Sequence, residues 1–358
     1  MRTTLTKRLG ISTPIIQAPL AGGGDTAELV AAVSNAGALG SIGAAYLSPE
    51  QIIERGKAVR AATSGPFGIN LFAPMVLHPV SEKAEQDAIE AVTPYYAELG
   101  LAPPVLSKPL SSFDDLFAAC METDASVFSF TFGLLPAQAI TEIKRRKRFL
   151  VGTATTVSEA RALVDLGVDA IVAQGSEAGG HRGTFLETFE AGMVGTISLV
   201  PQIKDAVPIP VIASGGIMDG RGIAAALALG ASAVQLGTAF LTCREAGVSD
   251  AYKEAILTSR EDQTRITRAF SGRPARGIAN RFLTAMANEE RVLPFPAQNA
   301  VTRPLRTASS QRNRSEYLSL WAGQGLRLAR RTSAGELILR LQAELKEAIN
   351  RLASENNL

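Results

Sequence analysis

Short apolar runs bounded by Gly, Pro and Ser alternate along the chain with amphipathic stretches that close on Gly, the pattern of repeated βα units around a parallel sheet. Ile15-Ile16-Gln17-Ala18-Pro19 reads as the first strand, Thr26–Asn35 as its helix and Leu39–Gly43 as the second strand. The third, Phe67–Phe72, follows a helix that begins at Ser48-Pro49-Glu50, where Ser at the cap and Pro at the first helical position are start signals. Residues 73–115 interrupt the rhythm. Their acid-rich stretch Ser81–Leu99 and prolines at 103, 104 and 109 predict a helical insertion over one barrel mouth. The rhythm resumes with strands at Val127–Phe132, Phe149–Thr153, Ala170–Gln174, Ile209–Ala213 and Ala233–Gly237, the last two joined by a helix over Arg221–Leu229. Eight strands predict an α/β fold, a (β/α)₈ TIM barrel over residues 1–243. In the helix Val157–Leu166, apolar Val157, Ala160, Leu163, Val164 and Leu166 mark the barrel side, with Glu159, Arg161 and Asp165 expected to face away.

From residue 244 to 314 the alternation stops and Pro294, Pro296 and Pro304 punctuate the chain, predicting a smaller, mostly helical cap-like subdomain. Residues 315–358 form a closing segment. Its helical spacing over Leu326–Ala353 (Leu326, Ala329, Leu337, Leu341, Leu345, Ile349) should pack back on the barrel. At 358 residues and 46% hydrophobic the chain can build a barrel, which needs about 250 residues, plus such elaborations.

Charge narrows the partners. Lys plus Arg number 36 against 34 Asp plus Glu, a net +2, so no one-signed field favours nucleic acid or a membrane surface. The run Lys144–Arg148 reads as a solvated helix C-terminus, and the arginines of 303–331 as surface. The two cysteines, Cys120 and Cys243, are far apart and lack metal-ligand spacing, which argues against a disulfide framework or a metal site and fits a cytoplasmic protein. The N-terminus lacks the apolar region of a signal peptide, and no run approaches ~18 apolar residues.

Ligands of such barrels bind at the C-terminal ends of the strands. The first strand ends in Ala18-Pro19-Leu20-Ala21-Gly22-Gly23-Gly24, where glycine permits close backbone approach. The seventh runs into Ser214-Gly215-Gly216-Ile217 and the eighth into Gln235-Leu236-Gly237-Thr238, two glycine-bearing ends suited to cradling a phosphate. The sixth ends in Gln174-Gly175-Ser176-Glu177-Ala178-Gly179-Gly180-His181. Only two histidines occur, and His181 stands where a ligand can approach closely and where an imidazole can take a proton. His78, before Pro79 in the insertion, reads as surface. Asn70, Gln174 and Gln235 place amides at the same mouth, suited to a flavin's pyrimidine edge or to loop backbone. No nucleophile elbow, zinc helix or dinucleotide fingerprint is present. One histidine, several amides and a phosphate cradle suit a cofactor that carries the hard chemistry itself.

These residues resemble the FMN-dependent nitronate monooxygenases, formerly called 2-nitropropane dioxygenases. Pro14–Gly24, Gln174–Gly183, Ser214–Ile217, Gln235–Thr238 and the closing run Ser315–Gln324 carry the resemblance. It implies FMN contacts at Ala18, Pro19, Leu20, Asn70, Gln174, Gly179, Gly180, Gly215, Gly216, Gln235, Leu236, Gly237 and Thr238. It further implies a substrate side at Tyr317, Trp321 and Gln324, and His181 as the base that takes the α-proton from a neutral nitroalkane. The implied reaction oxidises a nitronate such as propionate-3-nitronate with O₂, through a flavin semiquinone, to a carbonyl compound and nitrite, in a monomer or homodimer. Leu20 departs from the family, where Met commonly follows Ala-Pro. The motifs also resemble flavin-dependent enoyl-acyl-carrier-protein reductases and NAD(P)H:quinone reductases, and a phosphate-ligand-binding barrel without catalysis would share the cradle.

Overall fold

The computed structural model describes residues 3–76, 79–106 and 111–355; His78 and Pro109 lie outside them. Eleven strands occur among those residues: β1 (Ile15–Gln17), β2 (Gly40–Gly43), β3 (Phe67–Phe72), β4 (Val127–Thr131), β5 (Phe149–Ala154), β6 (Ala170–Gln174), β7 (Gly180–His181), β8 (Val211–Ser214), β9 (Ala233–Leu236), β10 (Thr264–Thr267) and β11 (Ala275–Ile278). Eight of them form one parallel sheet in the order β1-β9-β8-β6-β5-β4-β3-β2. A parallel bridge between Ile16 and Leu39 joins its two ends, closing the (β/α)₈ barrel.

The barrel interior is filled by Ile16, Leu39, Val127, Val151, Val172 and Ile212. The helix Thr4–Leu9 inserts Leu5 and Leu9 against them, plugging the end where the strands begin. Chemistry is thereby confined to the other end. A second apolar layer joins the outer face of the sheet to its helices, among them Leu163, Leu199 and Ile223.

Four local expectations are corrected by packing. Glu159 does not face away: it is fully buried, and its carboxylate accepts from the Thr155 amide and hydroxyl and from the amides of Phe185 and Leu186. It ties the segment beyond His181 to the end of β5. Glu159→Leu should therefore strand several buried donors and destabilise the fold by about 3 kcal/mol, read as a lowered midpoint in chemical unfolding with the slope unchanged; a shift near zero would show that these donors find other acceptors.

Arg148 is likewise buried within the Lys144–Arg148 run. It donates to the carbonyls of Cys120, Met121 and Thr123, satisfying the end of the helix Phe113–Met121. The arginines of 303–331 are not all surface, since Arg306 lies in the wall of the central cavity. Finally, the closing helix runs over Ala334–Glu355 and begins eight residues later than the apolar spacing suggested. Ser333 and Glu336 form a reciprocal cap, the Ser333 hydroxyl accepting from the Glu336 amide and the Glu336 carboxylate from the Ser333 amide, and such a box starts a helix. From there Leu337, Ile338, Leu341 and Leu345 are buried. Leu326 belongs to a separate short turn.

The insertion and the segment after residue 244 share one core over the barrel mouth. Val92 and Tyr96 of the helix Glu82–Glu98 pack with Phe270, Phe282, Val301 and Leu305, and the Tyr96 hydroxyl donates to the Val301 carbonyl at 2.6 Å. This cap adds an element that periodicity did not reveal. β10 and β11 form an antiparallel hairpin, and β7 joins it as a third strand, pairing His181 with Ala275 and Gly180 with Arg276. No helix among the described residues is long and apolar enough to cross a membrane.

Candidate active site

A cavity of about 590 Å³ opens at the C-terminal ends of the barrel strands, within the range of ligand pockets, about 300–1,000 Å³. Its floor is the barrel and its roof the cap.

His181 is positioned by two layers at once. β6 delivers it to the mouth, and pairing with β11 holds its backbone rather than leaving it in a free loop. The Gln174 side chain reinforces this: its amide donates to the His181 carbonyl at 3.0 Å and accepts from the Gly183 amide at 2.8 Å. The imidazole Nε2 lies 2.8 Å from the Ser271 hydroxyl, which also donates to the Arg273 carbonyl at 3.1 Å. When the Ser271 proton lies on that carbonyl, its oxygen accepts from the imidazole, which corresponds to the tautomer with the proton on Nε2 and the lone pair on Nδ1. Rings of Trp321, Phe132 and Phe295 surround the imidazole, with centroids 5.4, 5.9 and 6.2 Å away.

Burial, with the Arg273 and Arg306 charges behind it, lowers the His181 pKa to about 3. The ring is therefore neutral, with one nitrogen unprotonated, across the whole physiological range. The acid limb of the pH–rate profile for a proton-abstraction step should accordingly fall well below pH 6.5; a limb at the ordinary histidine value would contradict it.

The same cavity is lined by the glycine-bearing ends of β8 and β9. Gly215 and Gly216 both adopt positive φ, +123° and +70°, turning successive backbone amides in a way that only glycine does without strain. Gly237 precedes the short helix Thr238–Leu241 with no side-chain cap. A Cβ on Gly237 would rest 3.7 Å from Ala18 Cβ and Leu20 Cδ2, so the fold tolerates a side chain there but the cavity would lose the space. The neighbouring helix Thr196–Ala206 is not available to a phosphate, because the Glu177 carboxylate already accepts from the Thr196 amide at 2.9 Å and its hydroxyl at 2.8 Å. Of these glycine-bearing or helix-start amides, those at the ends of β8 and β9 are not taken up by Glu177.

The first-strand loop is less pliable than its glycines imply. The buried Asp25 carboxylate accepts from the Leu20 amide at 2.8 Å and the Gly43 amide at 2.6 Å, fixing the backbone of Ala18–Gly24 against the end of β2. Asn70 donates to the Ser129 hydroxyl at 2.9 Å and lines the same cavity. Gln235 also lines the cavity.

The structure brings together His181, Ala18, Pro19, Leu20, Asn70, Gln174, Gly179, Gly180, Gly215, Gly216, Gln235, Gly237, Thr238 and Trp321 on one cavity. Three expected residues stand apart. Leu236 is buried in the core, its carbonyl accepting from the Ala18 amide. Tyr317 is fully buried in the cap, where its hydroxyl donates to Glu98 and its ring packs against Tyr95. Gln324 is exposed and contributes only a backbone amide, donated to the Glu177 carbonyl. A hydrophobic pattern cannot tell which residues of the closing run turn inward.

Sequence reasoning also missed Ser271, Arg273, Arg306 and Phe132. Phe132 carried a readable signal as a bulky residue before Gly133 at a strand end, and the structure then gives it φ +76°, a costly conformation of the kind that clusters at functional sites. The others lie where the βα rhythm fails, and only the cap's folding brings them over the barrel.

The chain matches the nitronate monooxygenase family model over residues 2–344. It is 44% identical over 347 residues to a probable nitronate monooxygenase of Staphylococcus haemolyticus strain JCSC1435, covering 96% of both chains. Among solved structures it is similar to a nitroalkane oxidase from Streptomyces ansochromogenes, with TM-score 0.89, 39% identity, and 97% of this chain and 99% of that one covered. It is similar also to FabK from Thermotoga maritima, with TM-score 0.77, 31% identity and 99% coverage of each. Coverage of nearly the whole chain by such matches places this protein among flavin-dependent oxidoreductases, and it belongs to the nitronate monooxygenase family.

Proposed function

We propose that the protein binds FMN in this cavity and oxidises alkyl nitronates with O₂ to a carbonyl compound and nitrite, with His181 as the base when the substrate arrives as a neutral nitroalkane. The observation that supports this reading most is the His181 imidazole beyond β6, lining the same cavity as the glycine-bearing ends of β8 and β9. Gly215, Gly216 and Gly237 would hold the phosphate, and Asn70 and Gln235 are the amides left to meet a flavin ring. Bound FMN would supply the electron acceptor and the route to O₂. The protein's own work is then to bind, orient and deprotonate. Nδ1 of His181 takes the α-proton, Ser271 keeps the ring in that tautomer, and the rings of Phe132, Phe295 and Trp321 exclude water from the proton-transfer path.

The test is nitrite release from propionate-3-nitronate and from neutral nitroalkanes under air, on protein that purifies yellow with an FMN spectrum. Colourless protein that cannot be reconstituted would remove the flavin reading. Rapid anaerobic bleaching of the flavin by NADH or NADPH, without nitrite release under air, would favour a reductase instead.

A further inference from the structure

The helix Ala297–Gln311 lays Asn299, Arg303 and Arg306 along the wall of the cavity. Arg306 is the anomaly. Its Nε is buried and has no hydrogen-bond partner. Its remaining nitrogens reach only neutral groups: Nη2 donates to Asn299 Oδ1 at 2.6 Å and to the Asn299 carbonyl at 3.3 Å, and Nη1 to the Ser319 hydroxyl at 3.4 Å. The charges acting on it come from Tyr46, Arg303 and Tyr96, with no carboxylate among them, and burial lowers its pKa to about 10. A buried cation without a counter-ion is costly, and a site tolerates one where a ligand supplies the missing charge.

A second buried atom without a partner lies on the same cavity. The Tyr46 hydroxyl is buried and unbonded, and Arg306 is the first of the charged groups that act on it. The Tyr46 ring packs edge-on against Phe72, which meets Phe132, which meets His181, so an aromatic wall runs from these two donors to the base. The cavity's other cations are already accommodated: Arg55 lies 3.9 Å from Asp25, and Arg303 is exposed to solvent. His181 is neutral and cannot neutralise an anion.

We propose that Arg306 Nε–H and Tyr46 O–H together hold the anionic two-oxygen group of the substrate, with Asn299 fixing the plane of the guanidinium. One N–H and one O–H donor suit a planar monoanion with paired oxygens. That chemistry can come from the nitronate group itself or from a carboxylate carried on the same molecule. The assignment of substrate rests on the nitronate reading above; the anion subsite does not.

Calorimetric titration of the holoenzyme with acetate, a non-reacting planar monoanion, tests the subsite directly. Acetate should bind the native protein, Arg306→Met should weaken it by about 100-fold, and Tyr46→Phe by about tenfold, with flavin content and melting temperature unchanged. Kinetics identify the source of the oxygens. A matching loss of kcat/KM in Arg306→Met on both ethyl nitronate and propionate-3-nitronate assigns the pair to the nitronate; a loss confined to propionate-3-nitronate assigns it to the carboxylate. Unchanged acetate affinity and unchanged kcat/KM on both substrates in Arg306→Met and Tyr46→Phe would overturn the proposal. Should Arg306→Met fail to fold, Tyr46→Phe, which removes one oxygen, carries the same test alone. No nitronate turnover by the native protein, with acetate binding still lost in Arg306→Met, would sink the nitronate reading and leave the anion subsite standing.

Discussion

Replacing His181 by Asn should leave FMN bound while lowering turnover of neutral nitroalkanes by roughly 10²–10⁴-fold, the worth of a positioned general base. Asparagine keeps polarity and approximate size but offers no basic nitrogen. Preformed nitronates have already lost the α-proton, so their kcat/KM should fall by much less. The split between the two substrates is the informative quantity, measured as nitrite release with each at matched concentrations. Equal losses on both would mean that the imidazole orients or stabilises the anion rather than taking a proton. Ser271→Ala should shift the same balance in a milder way, because it frees the ring to adopt the other tautomer.

The second large effect concerns the cradle. Gly237→Val should fold normally, since its Cβ finds only ordinary van der Waals neighbours in Ala18 and Leu20. The added methyls, however, enter the space at the ends of β1 and β9. Overfilling a fitted site costs about 1–3 kcal/mol, which is roughly 10- to 100-fold in FMN affinity. The ratio of flavin absorbance to protein after dialysis reads this, with circular dichroism as the check on folding. Full occupancy in the variant would place the phosphate elsewhere. The same substitution at Gly216 is a less clean probe, because φ +70° penalises any side chain there whether or not a phosphate is bound.

The Glu159 and Gln174 networks explain how the histidine can be both central and rigid. A two-residue strand would not hold its register alone. Gln174 grips its backbone from the barrel, β11 from the cap, and Glu159 anchors the segment that follows. Three supports from three parts of the chain hold the backbone around one residue, the pre-organisation that the proposed base requires.

Much of this was legible before any coordinates. Short continuous apolar runs with glycine punctuation located all eight barrel strands, because strands buried on both faces must be apolar throughout. The rule that barrel ligands sit at strand C-termini then drew attention to His181 and to the glycines at 215, 216 and 237. Local chemistry misled where a residue type has two uses. Glu159 occupies a helix position that periodicity assigns to solvent, yet backbone amides from 26 residues away surround its carboxylate. Tyr317 and Trp321 share one run, and nothing in their spacing says that the first turns into the cap core while the second meets the histidine.

The sequence by itself determined the barrel, the face on which ligands bind and the histidine at its mouth, because those follow from short-range patterning and from the polarity of parallel strands. Only the tertiary structure decided what surrounds that histidine. Ser271, Arg273 and Arg306 come from a segment without βα rhythm; the cap, which buries its own core against the inserted helix and offers β11 as a partner to β7, carries Ser271 and Arg306 to the cavity and Arg273 onto the ring of Phe132. Contacts between residues 90 or more positions apart leave no periodic trace in the chain, and they set the charge and the hydrogen-bond partners around the histidine.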